Sequence, residues 1–397
     1  MSARWGILAL ILAGQTFANV GPMGLPAIAP LIRQDLGLSL TQAGSFISAY
    51  YVGPILMSLP AGWLADRWGI LPTMATGAGL IALGLVAAGW AGSFPVLIAL
   101  MILAGVGYGL LNPTSTKAVI AWFPPAQRAT AVGLKQTGLP FGGAVGAAVL
   151  PLIALAVGWQ NALIASASGV ALLGAATLFL YRDPADLPRA GPGSPGPSML
   201  SVLQSRDLWL VACSTGIFAA MQTVWMSFLV LYLSDVVGLP VVAAAGHLAA
   251  AQLTGMVGRV AFGLLSDRAF AGGRRIVLFI AGTGSGLCSL AMAGIGSGSS
   301  PWLLSALALI FGFVGIGWNG VQHTLMAELA GARAAGTAVG LGLAVSSLGV
   351  TLGPPAFGWL VEWVGGYRLP WVSLAASMGL ALILLGGVRE GQRRYDG

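Results

Sequence analysis

Two basic side chains, Lys135 and Arg259, stand inside long apolar runs, and they are the first chemistry the sequence offers. Arg259 precedes Asp267, which closes its run, by eight residues. At 1.5 Å per residue of helix the guanidinium is therefore about 12 Å from that end. Lys135 follows Arg128 by seven residues and lies at a similar depth. Lys117 is nearer the end of its run, where a long stem reaches the interface. None of the eleven acids falls in the middle of a run. A cation at such depth is costly and normally faces a cavity or a partner. An anionic ligand held by charge-assisted hydrogen bonds is the simplest counter-ion. On that reading Lys135→Gln spares folding, because it removes an uncompensated buried charge.

Neutral polar residues recur at helical spacing on the same kind of segment. Gln15 and Asn19, Tyr108 and Asn112, Gln222 and Trp225, and Asn319 and His323 each lie three or four residues apart, so each pair shares one helix face. Tyr50 and Tyr51 add two phenols. Each pair reads equally well as ligand or as interhelical hydrogen bond. His323 is the titratable group best placed to carry a proton, since His247 is near the end of its run.

These residues are positioned by spans of a membrane. Of 397 residues 57% are hydrophobic and 7% charged, whereas soluble domains carry about a quarter charged residues. Windows of about 20 apolar residues predict twelve transmembrane helices near 5–31, 41–64, 70–91, 94–123, 128–157, 160–181, 206–233, 240–265, 276–295, 301–328, 333–361 and 367–388. The expected fold is all-α, with a six-helix bundle over 1–181, a Gly, Pro and Ser-rich linker over 182–205, and a second bundle over 206–397. Arg4 and the apolar stretch after it imitate a signal peptide, but the run continues to Leu31 and is expected to be retained. With the N-terminus inside, thirteen arginines fall on the cytoplasmic side and two, Arg33 and Arg368, outside. That bias predicts cytoplasmic termini and linker. The net charge of +7 is scattered singly, with no basic stripe for nucleic acid. Cys213 and Cys288 lie in different apolar segments and suggest neither a disulfide nor a metal site.

The two halves are copies. A shift of 201 places Gly37-Leu38 on Gly238-Leu239 and Asp66-Arg67 on Asp267-Arg268. A shift of 207 places Asn112 on Asn319 and Thr130-Ala131-Val132-Gly133-Leu134 on Thr337-Ala338-Val339-Gly340-Leu341. Duplicated six-span units carry a binding site near the bilayer midplane between the repeats. The loop Gly62-Trp63-Leu64-Ala65-Asp66-Arg67-Trp68-Gly69 and its second copy, Gly263-Leu264-Leu265-Ser266-Asp267-Arg268 followed by Gly272-Gly273-Arg274-Arg275, resemble the signature loop of the major facilitator superfamily. The first copy departs in having Ile70-Leu71 where a basic pair is usual.

The resemblance implies a gate. Asp66 with Arg67 would meet the start of span eleven near Arg333, and Asp267 with Arg268 the start of span five near Arg128. A carboxylate at the positive end of a helix gains about 0.3–1 kcal/mol. Arg259 resembles a substrate-binding arginine in span eight of monocarboxylate, oxalate and nitrate carriers, although Ser58 at the equivalent position of span two disfavours nitrate. The implied function is secondary transport of small organic anions, carboxylates foremost, by proton symport or anion exchange. The expected setting is a bacterial-type inner membrane, with the protein acting as a monomer. A proton-coupled multidrug or neutral-metabolite exporter shares the fold. A non-transporting receptor or an enzyme is disfavoured, because the sequence holds no nucleotide loop, metal cluster or paired nucleophile and base, and no cofactor is expected. If the gate holds, Asp66→Asn or Asp267→Asn shifts the resting population toward the cytoplasm-open state, read by cysteine accessibility from each side. Unchanged labelling of both faces in both variants reduces these aspartates to topology signals.

Overall fold

The computed structural model describes residues 3–57, 60–182, 202–270, 272–331 and 334–389, and their regular structure is helical throughout. Lipid offers the backbone no partner, so apolar runs of this length close their hydrogen bonds within helices. The first unit contains α1 (Ala3–Leu36), α2 (Leu40–Met57), α3 (Pro60–Trp68), α4 (Ile70–Ala88), α5 (Phe94–Trp122), α6 (Pro125–Gln136), α7 (Gly138–Val157) and α8 (Trp159–Leu180). There follow α9 (Arg206–Asp235), α10 (Val241–Leu264), α11 (Arg274–Met292), α12 (Pro301–Phe311), α13 (Asn319–Ala330), α14 (Ala335–Val364) and α15 (Arg368–Gly386). Wide π turns occupy Leu265–Ala269 and Gly312–Ile316. Among the described residues eleven helices are long and apolar enough to cross a membrane. The remaining run expected from the sequence is described in two pieces, α2 and α3.

Two compact units divide the chain, Met1–Pro192 with Leu239–Ala249, and Gly193–Gly238 with Ala250–Gly397. The start of α10 thus groups with the first unit. Most of the predicted linker over 182–205 lies outside the described residues.

Inside each unit the helices meet at glycine, and the meetings are duplicated. A Cβ on Gly105 of α5 would stand 1.9 Å from the Tyr50 carbonyl oxygen of α2. In the second unit a Cβ on Gly312 would stand 2.1 Å from the carbonyl oxygen of Ala251 in α10. These residues are related by the same shifts of 207 and 201 that align the sequence. The crossing of α1 with α7 repeats as that of α9 with α14. Gly142 would reach the Thr16 carbonyl oxygen at 2.2 Å and Gly349 that of Gly216 at 2.0 Å. Only a residue without a side chain permits backbones so close, and close approach is what drives helix association in lipid. Gly37 (φ 61°) and Gly238 (φ 79°) take the left-handed conformation just past the ends of α1 and α9, again at equivalent positions.

Gly105→Ala is expected to cost about 1–3 kcal/mol through overpacking. Gly133, with nothing within 4 Å of its Cβ position, lies inside α6, and Gly133→Ala should be neutral or gain about 0.5–1 kcal/mol in helix propensity. Thermal unfolding of the purified protein in detergent separates them, and equal melting temperatures would contradict the packing account.

Candidate functional site

In the second unit the π turn prepares the polar cluster. It leaves the carbonyls of Gly315 and Ile316 to side chains: Trp318 Nε1 donates to the Gly315 oxygen at 3.1 Å and Asn319 Nδ2 to the Ile316 oxygen at 3.1 Å. Arg259 Nε reaches the same Ile316 oxygen at 3.4 Å from α10. A Cβ on the neighbouring Gly258 would stand 2.2 Å from the Phe313 carbonyl oxygen, so α10 passes close against the π turn at this level. Gln222 of α9 joins the cluster, its Oε1 accepting from Trp318 Nε1 at 3.1 Å and Asn319 Nδ2 at 3.2 Å. Arg259 is half-buried and its charge acts on the His323 ring, one turn beyond Asn319. Four of the predicted residues, Gln222, Arg259, Asn319 and His323, are therefore brought to one place. The four bring together two carboxamides, an imidazole and one guanidinium with no carboxylate among them, a composition suited to an anion.

Trp225, predicted to share this face, belongs to the core instead. Its ring stacks on Phe311 with centroids 3.9 Å apart, and its Nε1 donates to Ser289 Oγ at 2.8 Å. Spacing of three residues put it near Gln222 in sequence, but the large ring is satisfied on the packed side of α9.

The first unit holds two separate clusters. Gln15 Nε2 donates to Tyr108 Oη at 2.9 Å, Tyr108 packs on Tyr50 at 5.3 Å, and Tyr51 lies 6.0 Å from Tyr50. Asn19 Nδ2 donates to its own helix at the Gln15 oxygen, 2.7 Å. The cavity beside Gln15 is about 20 Å³, room for one water rather than an organic anion.

Lys135 corrects the expectation of an uncompensated charge. Its ammonium, fully buried, donates to Asn112 O at 2.8 Å, Asn112 Oδ1 at 2.6 Å and Thr116 Oγ1 at 2.8 Å. Three donors meet three acceptors, so the charge is stabilised by α5 and fastens α6 to it. The sequence signalled Asn112 but not Thr116, which lies one turn beyond it and completes the cage.

Three of the predicted gate residues, Asp267, Arg128 and Arg67, have local partners. Asp267 is held by Arg274, whose Nη2 also meets Glu328 Oε1 at 3.1 Å. The first half has Ala121 where the repeat places Glu328. Arg128 Nε caps the end of α5 at the oxygens of Ile120, 3.1 Å, and Phe123, 3.0 Å. Arg67 lies over the Trp63 ring at 5.3 Å, and Arg268 is exposed. Arg333 and the Asp66 side chain lie outside the described residues.

Apolar helices of membrane-crossing length that enclose a polar cluster around a guanidinium fit a multi-pass solute transporter. The chain belongs to the Major Facilitator Superfamily, whose model matches residues 7–349. It is 28% identical to a probable sulfoacetate transporter of Cupriavidus necator, across 96% of this chain and 93% of that one. A hexuronate transporter of Bacillus subtilis is 36% identical over 39% of this chain and 36% of its own length. Monocarboxylate transporter 13 of Bos taurus is 28% identical over 79% and 72%. A bacterial homologue of the human lysosomal transporter Spinster, inward-facing and occupied, superposes with a TM-score of 0.82 at 17% identity, covering 97% of each chain. The fold is therefore the major facilitator fold, and the relatives are transporters rather than enzymes.

Because the ammonium is caged, Lys135→Gln is now expected to destabilise the protein by about 1–3 kcal/mol, the cost of leaving buried acceptors unmade. Thr116→Val should move the melting temperature the same way by less. An unchanged or raised melting temperature for Lys135→Gln would contradict the cage.

Proposed function

We propose that the protein is a secondary active transporter of small organic anions, carboxylates foremost, working by alternating access. The carrying observation is the half-buried Arg259 beside Asn319, Gln222 and His323 in the interior of the second unit. Three relatives support it by what their names say they carry: sulfoacetate, hexuronate and monocarboxylate. Arg259 would receive the acid group on its planar fork, with Asn319 and Gln222 holding the wall in place. Tyr50, Tyr108, Gln15 and Asn19 are assigned to the supporting frame of the first unit, and Lys135 to its internal cage.

Coupling follows from charge. Moving a bare monoanion inward costs about 2.3 kcal/mol per 100 mV of inside-negative potential, and one co-transported proton cancels it. His323 is the proposed carrier: two positive charges side by side repel, and an anion between them removes the repulsion, so proton and anion favour each other's binding. Anion exchange needs no proton and is the other outcome of the same site. The thirteen-to-two arginine bias supports cytoplasmic termini in an inner membrane, and the Asp267–Arg274–Glu328 network is assigned to gating at the same end as those arginines.

Arg259→Gln is expected to weaken carboxylate binding at least tenfold, about 1.4 kcal/mol, and to abolish proteoliposome flux. Arg259→Lys keeps charge but loses the fork and should not restore affinity. Full anion affinity and flux in Arg259→Gln would overturn the organic-anion reading in favour of a neutral-solute or drug exporter.

A further inference from the structure

Gln322 was not signalled by the sequence, and its surroundings are unusual. It is 1% exposed, and neither its Oε1 nor its Nε2 finds a hydrogen-bond partner among the described residues. His323 Nδ1, next in the chain, is likewise buried without one. A carboxamide left this way weakens the fold, and such groups persist where they serve a ligand.

The internal repeat shows what is different here. At the shift of 207, Asn319 answers Asn112, His323 answers Thr116, and Gly342 answers Lys135. In the first half the Lys135 ammonium fills the space between Asn112 and Thr116. In the second half the polar frame is kept but the lysine is replaced by glycine. A Cβ at Gly342 would stand 2.9 Å from Gln322 Nε2, so the bare glycine is what leaves the amide its place. The charge in this half comes instead from Arg259, whose field reaches His323.

We propose that Gln322 is a specificity-determining residue that recognises a hydroxyl group on the transported anion, with Gly342 keeping its place open; this rests on the organic-anion reading of Arg259. A carboxamide has both a donor and an acceptor to offer. A hydroxyl matches both, accepting from Nε2 and donating to Oε1, whereas an ionised second acid group can only accept. The substrate class is thereby narrowed to hydroxylated monoanions, hydroxycarboxylates or hydroxysulfonates, with the acid on Arg259. A site built to hydrogen-bond a hydroxyl rejects the analogue lacking it, because its own polar groups stay unpaired.

The experiment measures binding of isosteric pairs to the full-length purified protein by calorimetry: lactate against propionate, and isethionate against ethanesulfonate. The hydroxylated member of each pair is expected to bind at least tenfold more tightly to the parent. Gln322→Met should raise the ligand-free melting temperature while bringing that ratio close to one. Gly342→Ala, which crowds Nε2 without removing it, should also lower the ratio. Equal binding of the two members by the parent overturns the proposal alone, as does an undiminished ratio in a folded Gln322→Met. Failure of all four anions to bind the parent overturns the organic-anion reading and this inference together.

Discussion

Inside a bilayer a polar group has only the protein to bond to, and the rest of this structure depends on that constraint. It forces the chain into helices, since no other open backbone satisfies itself in lipid. It also makes every interior cation a choice between an internal cage and a ligand. Lys135 takes the first course, with its three protons on Asn112 and Thr116. Arg259, half-buried with its Nε on the Ile316 oxygen, is assigned to a ligand in the proposed function.

Duplication makes this contrast visible within one molecule. Gly105 against Tyr50 and Gly312 against Ala251 are the same crossing twice, so the scaffold of the two units is conserved down to the atom that forbids a Cβ. The polar inserts on that scaffold are not duplicated. Glu328 has Ala121 as its counterpart and Gly342 has Lys135. Packing is therefore shared between the halves, while charge and hydrogen bonding have specialised: one half holds its own ammonium, and the other carries a guanidinium and an Asp267–Arg274–Glu328 network.

The helical fold, the spans and the repeat were legible because apolar length and repeated motifs are local signals that tertiary packing rarely overrides in a membrane. Pairs of polar residues at helical spacing pointed to Asn319 and His323, which the fold brings beside Gln222 and Arg259. The same rule misplaced Trp225, because spacing reports a helix face but not which neighbour a large ring prefers. Lys135 was misread for another reason. A carboxylate is visible in sequence as a counter-charge, whereas a cage of carbonyl, amide and hydroxyl oxygens is assembled only when α5 and α6 pack. Gln322 was silent because its significance lies in what it lacks, which only burial and the geometry at Gly342 reveal.

The central claim is that the transported anion is held by Arg259 and not by Lys135. The most direct measurement is anomalous diffraction from crystals of the protein grown with 3-bromolactate, which keeps both carboxylate and hydroxyl and whose bromine is located without ambiguity. The account predicts a bromine peak one ligand length from the Arg259 guanidinium in the second unit, with the carboxylate turned to the guanidinium. A peak beside Lys135 with its contacts to Asn112 and Thr116 broken, or no bromine near Arg259 at saturating concentration, would contradict it.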